Sequence, residues 1–180
     1  MNENKNMNDV FASLNNLLTQ TDLTDVTADG ANFSELPDGY YLSEVESAEL
    51  KESKSSHQPM VAFQFKVVED GMSVNDNGDF EPIKKSKNRK IFMYYVLKDD
   101  NSIRRFVQDM LKFEGEKPGE PILTKEYFTN SELLNDALEI LVGMRIYIQS
   151  STTTNDDDST SVWKNLITWK RAKAIGLLEE

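Results

Sequence analysis

A short aromatic and cationic stretch near the end of the sequence carries the clearest binding chemistry. Residues 161–173 read SVWKNLITWKRAK and contain both tryptophans of the chain. The stretch has four basic residues and no acidic one, whereas the whole chain has a net charge of −11. Aromatic rings can stack on unpaired bases while cations contact phosphates. The pattern therefore predicts a groove for single-stranded nucleic acid. Its predicted contacts here are Trp163, Trp169, Lys170 and Arg171.

The alternative for the same stretch is a core strand whose lysines face solvent. In a strand at 162–170, Trp163 and Trp169 share one face, and Leu166 lies on the other. The face of Leu166 carries more polar residues, which favours a core position for Trp163. The sequence leaves Trp163 open between core and binding face. Trp169 is the better binding candidate because it is close to Arg171 at the strand end.

A second group of candidate contacts lies in the middle of the chain. Residues 82–113 include nine basic and three acidic residues, a local charge of +6. Aromatic residues alternate with apolar ones in the predicted strands at 89–97 and 144–150. The alternative is a solvated lysine run beside ordinary cross-strand aromatics. The predicted phosphate and base contacts in these segments are Lys84, Lys85, Lys87, Arg89, Lys90, Phe92, Tyr94, Arg145 and Tyr147.

The remaining pattern gives the elements that must position these residues. Apolar alternation predicts strands at 40–50 and 60–69, and residues 70–87 are predicted to form a long connection. Helical spacing of apolar residues predicts helices at 101–113 and 131–142. Helices between the third and fourth of five antiparallel strands are typical of an OB-type barrel. The predicted fold class is mainly β with inserted helices (α+β), as an OB-like five-stranded antiparallel barrel.

Charge and composition divide the chain into three parts. Residues 1–36 are predicted to be an N-terminal arm, with a short amphipathic helix at 9–19 followed by an acidic linker. Residues 37–176 are predicted to form the OB-like domain, and residues 177–180 are predicted to form a short acidic C-terminal tip. The first 80 residues contain 15 acidic and 4 basic residues, so they hold the whole excess of negative charge.

The residue inventory argues against catalysis. The chain has no cysteine and only one histidine, His57, which excludes cysteine nucleophiles and multi-histidine metal sites. Residues 155–158 lack the glycine turn and distant glutamate of a calcium loop. Asp38 and Glu49 resemble the carboxylates of restriction-type nucleases, but an extended strand would separate them by roughly 36 Å. The sequence therefore predicts no enzyme activity, no metal and no cofactor.

A resemblance to a known family rests on residues 33–69, FSELPDGYYLSEVESAELKESKSSHQPMVAFQFKVVE. A Leu-Pro-x-Gly-x-Tyr turn, a Lys-Glu-Ser-Lys run and a Pro-Met pair before an alternating strand resemble the opening of a family of uncharacterised bacteriophage proteins. Members are suspected to be single-stranded DNA-binding proteins with an OB fold. The resemblance implies a protein of phage replication or recombination that acts in the host cytoplasm.

The predicted partner is therefore single-stranded DNA. Replication or recombination proteins and a second copy of the chain are further candidates. No membrane partner is predicted, because no apolar run approaches 18 residues. The alternative function is an acidic protein-interaction module or DNA-mimic inhibitor that uses residues 1–50, which hold ten acidic residues and one basic residue.

Overall fold

A computed structural model describes residues 35–115 and 119–178, together with five helical residues of the N-terminal segment: Ala12, Leu14, Asn15, Leu18 and Thr19. The chain divides into a unit of residues 1–35 and a unit of residues 36–180. The five helical residues fall within the helix predicted at 9–19. The predicted acidic linker up to residue 34 and the last two residues of the predicted tip lie outside the described residues.

The described part of the second unit contains seven strands in one antiparallel sheet. Strand β1 is the longest and is bordered on both edges, since Ser43 pairs with Val67 of one neighbour and with Ile146 of the other. The strands are β1 (Gly39–Glu52), β2 (Pro59–Val67), β3 (Gly71–Val74), β4 (Phe80–Ile83), β5 (Lys90–Val96), β6 (Arg145–Thr154) and β7 (Thr160–Ile167).

The sheet is open, so the prediction of a closed five-stranded barrel is wrong. The strand order is β4-β3-β1-β2-β5, while β6 pairs with β1 and β7 pairs with β6. Strands β5 and β7 therefore each keep one edge without a strand partner in the described part of the chain. The coarser prediction of a mainly β fold with helices between β5 and β6 is confirmed.

The predicted long connection at 70–87 instead contains the hairpin of β3 and β4. Strand β3 extends the line of β2 along β1, where Met72 pairs with Tyr40. Gly71 allows this close approach, because a Cβ at that position would lie 2.4 Å from the Tyr41 ring. The hairpin turn is held by Asn75, whose Oδ1 accepts hydrogen bonds from two backbone amides at 2.9 and 3.0 Å. Strands of four residues are too short to show a reliable alternation.

In the described part of residues 36–180, three α-helices and one 3₁₀-helix accompany the sheet: α1 (Asp100–Met110), the 3₁₀-helix (Lys125–Phe128), α2 (Ser131–Leu141) and α3 (Trp169–Ala174). Helix α1 begins at a capping box of Asp99 and Ser102, which satisfies its first free amides. The strand predicted at 162–170 ends at Ile167, because the hydroxyl of Thr168 caps α3 by accepting from Arg171 N at 3.1 Å. Trp169 is therefore helical.

The core lies between the inner face of the sheet and the helices. The alternating residues of β2 are buried as predicted, and the Phe63 ring stacks on the Phe65 ring at 5.5 Å between centroids. Tyr95 of β5 and Phe106 of α1 make an edge contact at 5.3 Å, which packs α1 against β5. Among the described residues, no helix combines the length and apolar character needed to cross a membrane.

Candidate nucleic-acid interface

Strand β5 presents two aromatic side chains to solvent. Its residues alternate between buried and exposed, so that Lys90, Phe92 and Tyr94 face outward as predicted. Phe92 is 43% exposed and Tyr94 is 59% exposed. Their neighbours across β2 are Gln64 and Ala62, which are smaller side chains. Both rings are therefore partly accessible to a ligand.

Trp163 of β7 also faces outward, so it is not a core residue. It is 54% exposed, whereas Leu166 on the opposite face of the strand is buried. The indole Nε1–H of Trp163 donates a hydrogen bond to Thr153 Oγ1 at 2.9 Å. This bond fixes the edge of the ring and leaves its face available for stacking.

A groove of about 400 Å³ lies between β5 and β7, where the sheet is open. Residues 92–96 form one wall and residues 162–165 form the other. Helix α1 contributes Ser102, Arg105 and Asp109, which share one helix face because they are spaced by three and four residues. The groove thus combines three outward aromatic rings with polar and cationic side chains.

One carboxylate of the groove is held in place by two donors. The Tyr95 hydroxyl donates to Asp109 Oδ2 at 3.0 Å, and Lys112 Nζ lies 2.6 Å from Asp109 Oδ1. Burial, followed by the charge of Asp109, raises the pKa of Tyr95 far above its ordinary value. Tyr95 therefore stays protonated, and its hydroxyl orients the Asp109 carboxylate by donating a hydrogen bond to it. Cations in the groove are Arg105 of α1 and Lys164 of β7.

The basic loop, residues 84–89, connects β4 to β5 and is held in one conformation by hydrogen bonds. Asp70 Oδ1 accepts hydrogen bonds from the backbone amides of Ser86 at 3.0 Å and Lys87 at 2.9 Å. The Ser86 hydroxyl is buried and accepts from Gly71 N at 2.8 Å. Lys85 has a φ of 63°, a left-handed conformation that only a well-anchored loop imposes on a lysine. This anchoring leaves the residues Lys84, Lys85 and Lys87 exposed.

Two of the predicted phosphate contacts are already engaged by glutamates of β1. Lys90 forms an ion pair with Glu46, and Arg145 Nε lies 3.2 Å from Glu44 Oε2. The Lys90 ammonium and a hydrogen bond from Gln64 hold the pKa of Glu46 below its ordinary value. Exposed ion pairs of this kind are weak, so a phosphate can compete for the cation.

We expect removal of the Glu46 carboxylate to tighten nucleic-acid binding. In Glu46→Gln, Lys90 no longer has to exchange a carboxylate for a phosphate. The expected gain in affinity for an oligonucleotide is about 2- to 5-fold, the scale of an exposed ion pair. Anisotropy of a labelled oligonucleotide measures it. Glu139→Gln on α2 removes the same charge far along the chain from the Glu46–Lys90 pair and serves as the control. An equal gain in affinity in both variants would contradict a local role for Glu46.

The remaining predicted residues lie around α3, which follows the C-terminal end of β7. Tyr147 is only 6% exposed, and its ring meets the Trp169 ring edge-on at 5.5 Å between centroids. Burial raises the pKa of Tyr147. Trp169 is partly covered, while Lys170 and Arg171 are exposed. About 13 Å of strand separates Trp163 from the end of β7, so these residues are not brought together with the groove.

Arg89, another predicted phosphate contact, is intermediate in exposure between the buried Tyr147 and the exposed lysines. It is partly buried, and its charge acts on the hydroxyl of Tyr41. The Tyr41 hydroxyl donates to Pro37 O at 2.6 Å, and burial raises its pKa to about 12. The positive charge of Arg89 opposes this rise in pKa, and Arg89 is less exposed than the lysines at positions 84, 85 and 87.

Sequence patterns missed the contribution of α1 to the groove. Arg105 and Asp109 lie on the polar side of a helix that the apolar spacing predicts, and their own spacing does not mark a site. Lys164 lies between the two tryptophans, but its position on a strand gave it no special weight. The charge of +6 around α1 was the one available signal.

A family model described as "Protein of unknown function (DUF669)" matches residues 21–145, more than half of the chain. The match contains the run 33–69 that carries the predicted resemblance to a family of uncharacterised proteins. It includes β5 and α1 and ends at the first residue of β6, so it covers the Phe92 wall of the groove but not the Trp163 wall. A search of curated proteins finds no match.

Proposed function

The chain belongs to the DUF669 family of proteins of unknown function, and from the geometry of its groove we propose that it binds single-stranded DNA. Binding would be stoichiometric, with unpaired bases stacked on aromatic rings and phosphates held by neighbouring cations. The protein would coat exposed strand and present it to other proteins. The setting suggested by the resemblance, phage replication or recombination, is part of this proposal.

Phe92, Tyr94 and Trp163 line the same groove, and this observation carries the proposal. These three rings come from two strands that are far apart in sequence, and each is about half exposed. Exposed aromatic side chains that cluster around a cleft are typical of binding sites. An unpaired base has two π faces and fits between such rings.

Cations border the proposed path of the strand on one side. Along β5, the outward side chains run from Tyr94 through Phe92 to Lys90, a distance of about 13 Å. The basic loop follows directly and presents its three exposed lysines. A phosphate backbone that follows β5 would meet one cation after another beyond the aromatic rings.

The strand pairing supports an OB-type relationship as the finer part of the proposal. Strands β1, β2, β5, β6 and β7 pair in the order β5-β2-β1-β6-β7, with helices inserted after the third of them. In OB folds the face of strands 2 and 3 binds oligonucleotides. The corresponding strands here are β2 and β5, which carry Gln64 and Phe92 on their outer face.

Replacement of Lys84, Lys85 and Lys87 by alanine tests the proposal through salt dependence. We expect weaker binding to every oligonucleotide sequence, because phosphate contacts carry no sequence information. The slope of log affinity against log salt should become shallower by up to about 2, since each contact with a single strand contributes about 0.7. Titrations of labelled oligo(dT) at four salt concentrations measure this slope.

A triple alanine variant at three other exposed lysines is the matched control for total charge. Lys51, Lys54 and Lys125 lie outside the groove and the basic loop. We expect this control to keep the slope of the native protein. The same slope in the native protein and in the variant of the basic loop would remove that loop from the interface.

A further inference from the structure

Resting on the proposed function, we infer that the groove reads the base and prefers bases that carry an exocyclic amino group, with Asp109 as the acceptor. Cytosine, adenine and guanine carry such a group, and thymine and uracil do not. The strand would therefore bind most tightly where an amino base occupies the groove.

Asp109 is an acidic side chain in a groove that is proposed to bind a polyanion. Asp109 lines the groove, and its side chain is 23% exposed. A carboxylate repels phosphate, so the group that faces Asp109 must be a hydrogen-bond donor of the base. Phosphates would lie instead toward Lys90 and the basic loop.

Asp109 has acceptor capacity left for a base. Its two oxygens offer about four lone-pair positions, and the Tyr95 hydroxyl and the Lys112 ammonium use one each. These two donors also fix the carboxylate, so it is oriented before a ligand arrives. A fixed acceptor loses little side-chain entropy on binding, and it cannot turn away from a base that presents an acceptor instead of a donor.

The groove proposed to hold the base is lined by both the aromatic rings and this acceptor. Phe92 and Tyr94 line the same groove as Asp109, and Arg105 precedes Asp109 by one helical turn. Arg105 can donate to a ring nitrogen or carbonyl while Asp109 accepts from the amino group. Thymine would place a carbonyl oxygen where cytosine places its amino group, and the carboxylate would repel it.

The test compares oligo(dC) with oligo(dT), which share one ring size and backbone. We expect the native protein to bind oligo(dC) at least about 5-fold more tightly, the ratio of a single discriminating contact. In Asp109→Asn the amide still accepts from Tyr95 but also offers donors, so the preference should vanish or reverse. Asp100→Asn removes the same charge from an exposed position on α1 and should keep the preference.

A ligand-side experiment keeps the test independent of how Asp109→Asn folds. Oligo(dC) in which N4 carries two methyl groups has lost its amino donors and should bind the native protein as weakly as oligo(dT). Equal and measurable affinity for all three oligonucleotides would overturn base reading and leave strand binding intact. If the native protein bound none of the three oligonucleotides, both the base reading and the proposed function would be overturned.

Discussion

Replacing Phe92 and Tyr94 together by alanine is expected to weaken oligo(dT) binding by about 30-fold or more. Each stacked base contributes about 1–3 kcal/mol by alanine substitution, so two rings give at least about 2 kcal/mol. The two sites are neighbours, and their effects need not add. Both side chains face solvent, so the denaturant midpoint should stay close to that of the native protein. Affinity and midpoint are measured on the same preparation.

A matched control removes exposed apolar side chains elsewhere. Ile140 and Val142 are 38% and 48% exposed at the end of α2, and neither lines the groove. The double alanine variant at these positions should bind oligo(dT) like the native protein. Native affinity in the Phe92 and Tyr94 variant would show that β5 is not part of the interface.

The largest expected loss of stability comes from Phe106→Ala. Phe106 is 1% exposed and makes edge contacts with Tyr95 at 5.3 Å and Phe128 at 6.0 Å. Removal of a buried phenylalanine costs about 3–5 kcal/mol of unfolding free energy. For a chain of this size the loss corresponds to a decrease in Tm of about 6–20 °C. Thermal unfolding followed by circular dichroism measures it.

Ile103→Ala on the same helix is the control for helix propensity. Ile103 is 44% exposed, so its truncation leaves no cavity and should change Tm by only a few degrees. Since α1 forms part of the groove, the folded fraction of Phe106→Ala is also expected to bind oligo(dT) less tightly. Similar Tm values for the two variants would contradict the packing of α1 on β5 through Phe106.

Local patterns correctly predicted which side chains are buried in strands where apolar residues occur at every second position. The alternation of Val61, Phe63 and Phe65 predicted the buried face of β2. On β5 the same rule predicted the outward direction of Phe92 and Tyr94. Period and burial coincide in these strands because one face of each meets the core.

Local patterns failed where tertiary contacts or caps decide the structure. Trp163 faces solvent although its own strand face looked the more apolar, because the opposite face of β7 carries Leu166, which is buried in the core. The Thr168 cap ends β7 and turns Trp169 into the first residue of a helix. The groove itself depends on how α1 packs against β5 and on the unpaired edges of two strands distant in sequence. No local pattern encodes such an arrangement.

The most direct test of the account uses Trp163 as a reporter within the proposed groove. In a Trp169→Phe variant, Trp163 is the only tryptophan. Titration with oligo(dT) should quench its emission in a saturable way, and added salt should weaken the binding. Unchanged emission, while a labelled oligonucleotide still binds by anisotropy, would show that the strand binds outside the groove. Absence of binding by both readouts would contradict the account and favour the acidic protein-interaction module.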